Sequence, residues 1–119
     1  MKPFVANLLV GLVALEHIAF LMLESAFWTK PLGLKIFGLT AAQAEASRVL
    51  AFNQGFYNGF LAVGLVWALL HPQPIFGRQL KLFFLGCVLA AGVLGGLTVK
   101  GRVFLIQGAP AVAALLLLL

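Results

Sequence analysis

Glu16 and His17 stand side by side in the stretch Val13-Ala-Leu-Glu-His-Ile-Ala-Phe-Leu-Met-Leu-Glu24, inside the first long apolar segment of the chain. A carboxylate at the centre of a membrane-spanning helix costs about 2.5–3.5 kcal/mol on insertion scales, because hydrocarbon holds no water to solvate it. Such a residue faces the protein interior and has work to do there. On a helix, His17 and Glu24 fall two turns apart on one face, and Glu16 lies about 100° round from His17. Neighbouring carboxyl and imidazole groups suit general acid and base catalysis. A low-dielectric setting favours the neutral form of each, and proton exchange near neutral pH becomes efficient.

A second polar run lies in Ala51-Phe-Asn-Gln-Gly-Phe-Tyr-Asn-Gly-Phe60. Asn53 and Tyr57 stack at i, i+4, as do Gln54 and Asn58, and together they cover an arc of about 140°. Gly55 and Gly59 fall on roughly the opposite side, where a neighbouring helix can approach closely. The simplest assembly points Glu16, His17, Asn53, Gln54, Tyr57, Asn58 and Gln107 at one shared interior. Structural hydrogen bonding between helices is the plainer reading of Asn53 and Gln54, at about 0.6 kcal/mol per contact. That reading does not account for an ionisable Glu-His pair.

These residues need a membrane scaffold, and the composition supplies one. Of 119 residues 63% are hydrophobic and only 9% charged, where a soluble domain carries about 25% charge. The net charge of +5 comes from eight Lys and Arg residues scattered at the ends of apolar segments. They match lipid headgroups rather than nucleic acid. Cys87 is the single cysteine, so no intrachain disulfide forms and a buried thiol is expected. Glu16-His17 would interrupt the apolar region of a signal peptide, and the first segment reads as a retained helix.

The expected fold is all-α: a polytopic, four-transmembrane-helix antiparallel bundle in one domain, with spans at about 3–25, 41–70, 79–99 and 103–119. Pro3 suits a first helical turn, Asn7 lies near an interface and Trp28 marks the opposite boundary. Lys30-Pro31 and Gly33 break the chain into a short interfacial segment reaching Leu39. Thr40-Ala-Ala-Gln43 has the form of a capping box. The segment from Ala41 is roughly 45 Å long against about 30 Å of hydrocarbon, so its first turns, with Gln43, Glu45, Ser47 and Arg48, project beyond it. Trp67 sits near the far interface, and His71-Pro-Gln-Pro74 ends this helix. Gly92 and Gly96 form a small-x-x-x-small pair in the third span, and Lys100-Gly-Arg102 makes a tight connection. Pro110 leaves the carbonyl of Ile106 without its helical donor and interrupts the last span. Lys30, Lys35, Arg48, Lys100 and Arg102 fall on one side, with Lys2, Arg78, Lys81 and the amino terminus on the other. Five positive charges against four leave the orientation open.

The chain resembles the bacterial family called domain of unknown function 1304. The matching residues are Leu15-Glu-His17, Glu24 with Trp28, Lys35-Ile-Phe-Gly-Leu39, Asn53-Gln-Gly-Phe-Tyr-Asn-Gly-Phe60, Phe84-Leu-Gly-Cys87, Thr98-Val-Lys100 and Gln107-Gly-Ala-Pro110. The resemblance implies a small four-helix protein of the bacterial inner membrane with no assigned activity. More remotely, the Asn53–Phe60 run is similar to that of DoxX-like proteins, some of them linked to quinone-dependent oxidation. Membrane isomerases of the sterol-isomerase type likewise keep acids and amides in a bundle pocket, an analogy of fold alone.

Three functions compete. The first is an enzyme acting on a lipophilic small molecule, with Glu16 and His17 as acid and base and Tyr57 as a further proton donor. Glu24, Asn53, Gln54, Asn58 and Gln107 would then orient the substrate. Isomerisation or epimerisation needs no cofactor, and none is expected, since the chain has no phosphate loop, nucleophile elbow or cysteine pair. A metal is not expected either, because Glu16 and His17 diverge on the helix and ligand density is low. The second is a proton-coupled transporter of small hydrophobic compounds, which would act as a homodimer. The third is a non-catalytic membrane subunit.

Overall fold

In a hydrocarbon solvent a backbone must satisfy its own hydrogen bonds, and a helix does this residue by residue. A computed structural model describes residues 1–98, 101 and 104–119, and its regular elements are helical. They are α1 (Lys2–Ser25), α2 (Pro31–Phe37), α3 (Ala41–Leu70), α4 (Pro74–Thr98), a π-helical turn (Phe104–Gly108) and α5 (Ala109–Leu118). Among the described residues α1, α3 and α4 are each long and apolar enough to cross a membrane, and Phe104–Leu118 is a shorter apolar stretch. Three such helices mark a membrane protein. Lys100 and Arg102 of the expected connection, and the expected bounds of the last two spans at 99 and 103, fall on residues outside those described.

The chain divides into two compact units, one made of Met1–Glu16 with Leu61–Leu119 and the other of His17–Phe60. In the first, Val10, Val13 and Ala14 of α1, Leu65 of α3, Leu85 and Val88 of α4, and Ala111 and Ala114 of α5 form one buried core. Phe84 packs on Gly64, where any Cβ would run into its ring. Lys81 Nζ donates to Asn7 Oδ1 at 2.8 Å, tying the start of α4 to the start of α1. Arg78 donates from Nε and Nη2 to the carbonyl of Leu118, at 3.1 and 2.7 Å. A guanidinium so placed satisfies an orphan carbonyl at the end of α5 and complements its dipole.

The expected helix at 79–99 begins earlier, at Pro74. Proline is well suited to a first turn, where its missing N–H has no carbonyl to meet. The preceding turn closes on His71, whose Nδ1 accepts from the Gln73 N–H at 3.1 Å. At the other end of α4 the glycine pair does what its spacing suggests. A Cβ on Gly92 would lie 3.2 Å from the Gly108 nitrogen, and one on Gly96 only 2.8 Å from Phe104 Cβ. The element received there is the π-helical turn just ahead of Pro110. Without an N–H at 110 the α pattern fails, and a wider turn takes up the register.

In the second unit α2 is short. Lys30 precedes it, Pro31 opens it, and Gly38 ends it at φ 64°, a left-handed conformation that costs glycine nothing. The Thr40 capping box is formed in both directions: Thr40 N–H donates to Gln43 Oε1 at 2.9 Å and Gln43 N–H to Thr40 Oγ1 at 3.1 Å. Trp28 Nε1 donates to Ser47 Oγ at 3.1 Å, and its ring lies 4.8 Å from that of Phe37. The Trp28 side chain therefore holds the connection between α1 and α3 to the first turns of α3.

Gly96→Val should lower the stability by about 1–3 kcal/mol, since its branches have no room beside Phe104. Gly86→Ala, where the space beside the backbone is open, should stay within about 0.5 kcal/mol of the parent. Unfolding of the two variants in detergent micelles measures the difference.

Candidate functional site

Helix α1 carries three polar side chains at depth, each in a different setting. His17 is completely buried, and its ring meets Phe20 edge-on at 5.5 Å. Glu16 is half-buried, and its Oε1 is shielded from solvent with no hydrogen-bond partner among the described residues. Glu24 is also half-buried, but it has a partner: Asn58 of α3 donates from Nδ2 to Glu24 Oε1 at 2.5 Å.

Glycines make that last contact geometrically possible. A Cβ on Gly55 would sit 3.1 Å from the Leu21 carbonyl oxygen and 3.2 Å from Glu24 Cβ, and one on Gly59 3.2 Å from Leu21 Cδ2. At such a separation a short side chain such as Asn58 spans the gap to Glu24. Removing the β-carbons lets the two backbones close, as small residues do between membrane helices. Ala51, another small residue of α3, is buried as well.

The expectation that the polar arc of α3 turns inward as a group is corrected by this packing. Asn58 is half-buried on Glu24, whereas Asn53, Gln54 and Tyr57 are exposed, Tyr57 to 58%. The reason lies in the helix itself. Its small residues allow the closest approach and take the packed face, so the residues opposite to Gly55 and Gly59 are turned away.

Gln107 sits in the π-helical turn, half-buried, with its Cβ 3.4 Å from the position a Cβ on Gly92 would take. It is packed against α4 through its stem. Glu16, His17, Glu24, Asn53, Gln54, Tyr57, Asn58 and Gln107 were all legible as polar residues in apolar helices; the Glu24–Asn58 pairing is what the structure adds among them. The Trp28–Ser47 bond, missed from the sequence, had a signal in the indole N–H, which needs an acceptor when buried. An open groove of about 360 Å³ beside Trp67, His71 and Phe76 carries no acid and belongs with the interfacial aromatic residues.

Residues 11–119 match the family model described as "Protein of unknown function (DUF1304)". The chain belongs to this family. It is also similar to the "Uncharacterized protein YpaA" of Lactococcus lactis subsp. lactis (strain IL1403), at 31% identity over 107 residues, which cover 88% of each chain. No solved structure matches. The match spans Glu16, His17, Glu24, the 53–60 run and Gln107.

Asn58→Leu should leave the Glu24 carboxyl without its donor and cost about 1–3 kcal/mol. Adding Glu24→Leu to it should recover part of that loss, because the stranded polar group is gone. A double-mutant cycle in micelles gives the coupling between the two residues.

Proposed function

We propose that this protein binds a lipophilic small molecule inside the membrane and uses Glu16 and His17 to move a proton on it, in an isomerisation or epimerisation that needs no cofactor. The observation that carries this reading is the buried Oε1 of Glu16 with no hydrogen-bond partner among the described residues, next in the chain to a fully buried histidine. A purely structural acid is expected to resemble Glu24, with a hydrogen bond to satisfy it. Glu16 has an oxygen to offer, and an outside molecule with a proton to exchange is the partner it lacks.

The proton balance closes within the chain. One group takes a proton from the substrate, the other returns one at a second position, and a shift between carboxyl and imidazole restores the starting state. No electrons change hands.

The scaffold in this proposal is a bundle of four antiparallel spans, with Phe104–Leu118 as the fourth. Its support is the core to which α1, α3, α4 and α5 all contribute. The Lys81–Asn7 and Arg78–Leu118 bonds add to it by bringing the starts of α1 and α4 level with the end of α5. Proton-coupled transport is the second reading. The near-even split of basic residues favours it, because it lets a chain insert in either orientation.

Glu16→Gln keeps the shape and removes the titrating proton. The variant should fold and melt at the same temperature as the parent or a higher one. The apolar compounds that co-purify with the parent, identified by mass spectrometry, should be depleted from it. An unchanged profile of co-purified compounds would remove Glu16 from the site.

A further inference from the structure

We infer that one face of α3 is the contact surface for a second copy of this chain, with Asn53 setting the register. Ala46, Leu50, Asn53, Tyr57 and Phe60 follow one another at steps of four, three, four and three residues, and every one of them is exposed. This is the seam spacing of two helices packed side by side at a shallow crossing angle, where alternating steps of three and four keep one stripe towards the partner. The seam lies within the His17–Phe60 unit and does not involve Glu16. On the opposite side of α3, Gly55 is closed against Leu21 and Glu24 of α1, so the seam is the side that α1 does not cover.

Its depth makes this face unsuited to lipid. The Trp28–Ser47 bond sets Ser47 level with an interfacial tryptophan. Asn53 lies about 9 Å and Tyr57 about 15 Å further along the helix, within hydrocarbon about 30 Å thick. Asn58 is satisfied by Glu24, whereas Asn53 makes no hydrogen bond among the described residues, and acyl chains have none to offer. A carboxamide is donor and acceptor at once. On a two-fold axis it meets its own copy, and each amide satisfies the other with no further complementary group. A single Asn in a seam of larger, less polar side chains is also the device that fixes the register of paired helices. Copies inserted in the same direction run their α3 helices parallel, with Leu50 against Leu50 and Asn53 against Asn53. The Tyr57 and Phe60 rings, 6.1 Å apart, continue the seam as aromatic packing.

The experiment is thiol cross-linking of the full chain in liposomes over a range of protein-to-lipid ratios. Cys87, the single native thiol, is replaced by Ser. One new thiol is placed on the seam by Leu50→Cys, or off it by Phe52→Cys, about 160° round the helix. The expected result is a disulfide-linked dimer from Leu50→Cys at ratios where Phe52→Cys stays monomeric. With Asn53→Leu added, the same yield should need about tenfold more protein per lipid, the effect of one lost amide pair. Asn53→Gln, which keeps donor and acceptor, should need no such increase. Melting in detergent checks that both variants fold, and the comparison of Leu50→Cys with Phe52→Cys stands without them. Equal cross-linking of the two thiols, or none from Leu50→Cys at any ratio, overturns the contact surface. Cross-linking through Leu50→Cys that a folded Asn53→Leu protein retains in full overturns the part given to Asn53.

Discussion

Hydrocarbon offers no hydrogen bonds, and every polar side chain on a spanning helix must find its partner inside the protein or in something the protein binds. The arrangement of this chain follows from that constraint. Basic residues are kept to the ends of the helices, where two of them are fastened to polar groups of other helices: Lys81 to Asn7 and Arg78 to the last turn of α5. Glu24 is answered by Asn58. Glu16, between Asn7 and Glu24 in the chain, keeps a shielded oxygen unanswered among the described residues. A surface residue with an unmet acceptor would be unremarkable; on α1 the side chains of Asn7, Glu24 and Ser25 each have a hydrogen-bond partner, and this oxygen has none among the described residues.

Small residues determine how closely these partners can meet. Gly55 and Gly59 remove the atoms that would hold α1 and α3 apart, and the reach of Asn58 to Glu24 depends on that separation. Gly92 and Gly96 do the same for α4 and the π-helical turn. That turn exists because Pro110 lacks a donor. In both places the sequence gives up side-chain volume to gain backbone proximity, the device that replaces the hydrophobic effect between membrane helices.

Much of this was legible in the residues, and the parts that were not share a physical cause. The bounds of α3, the Thr40 capping box, the break at Pro110 and the close-packing role of Gly92 and Gly96 follow from local rules, because caps, proline geometry and small-residue spacing act within a few residues. The start of α4 lies earlier than the proline pair suggests. A proline pair reads as a break, yet Pro74 also opens a helix. The orientation of α3 was harder. Its polar arc and its glycine face lie opposite one another, and periodicity alone does not say which of them packs. Backbone approach decided for the glycines, leaving Asn53, Gln54 and Tyr57 exposed and only Asn58, at the border of the two faces, engaged. The Trp28–Ser47 bond joins residues nineteen apart, beyond the reach of any local rule.

Membership of the DUF1304 family leaves the chemistry to the residues. The proposed chemistry stands on one carboxyl group exchanging a proton while enclosed by protein and lipid. Infrared difference spectroscopy of the protein in lipid, recorded between acid and alkaline buffers, observes that group directly. A carboxyl C=O band should appear and disappear with pH, shift on transfer to heavy water, and be missing from the spectrum of Glu16→Gln while the band of Glu24 persists. A Glu16→Gln spectrum identical to that of the parent would mean that Glu16 does not exchange protons, and the acid–base function assigned to it would be wrong.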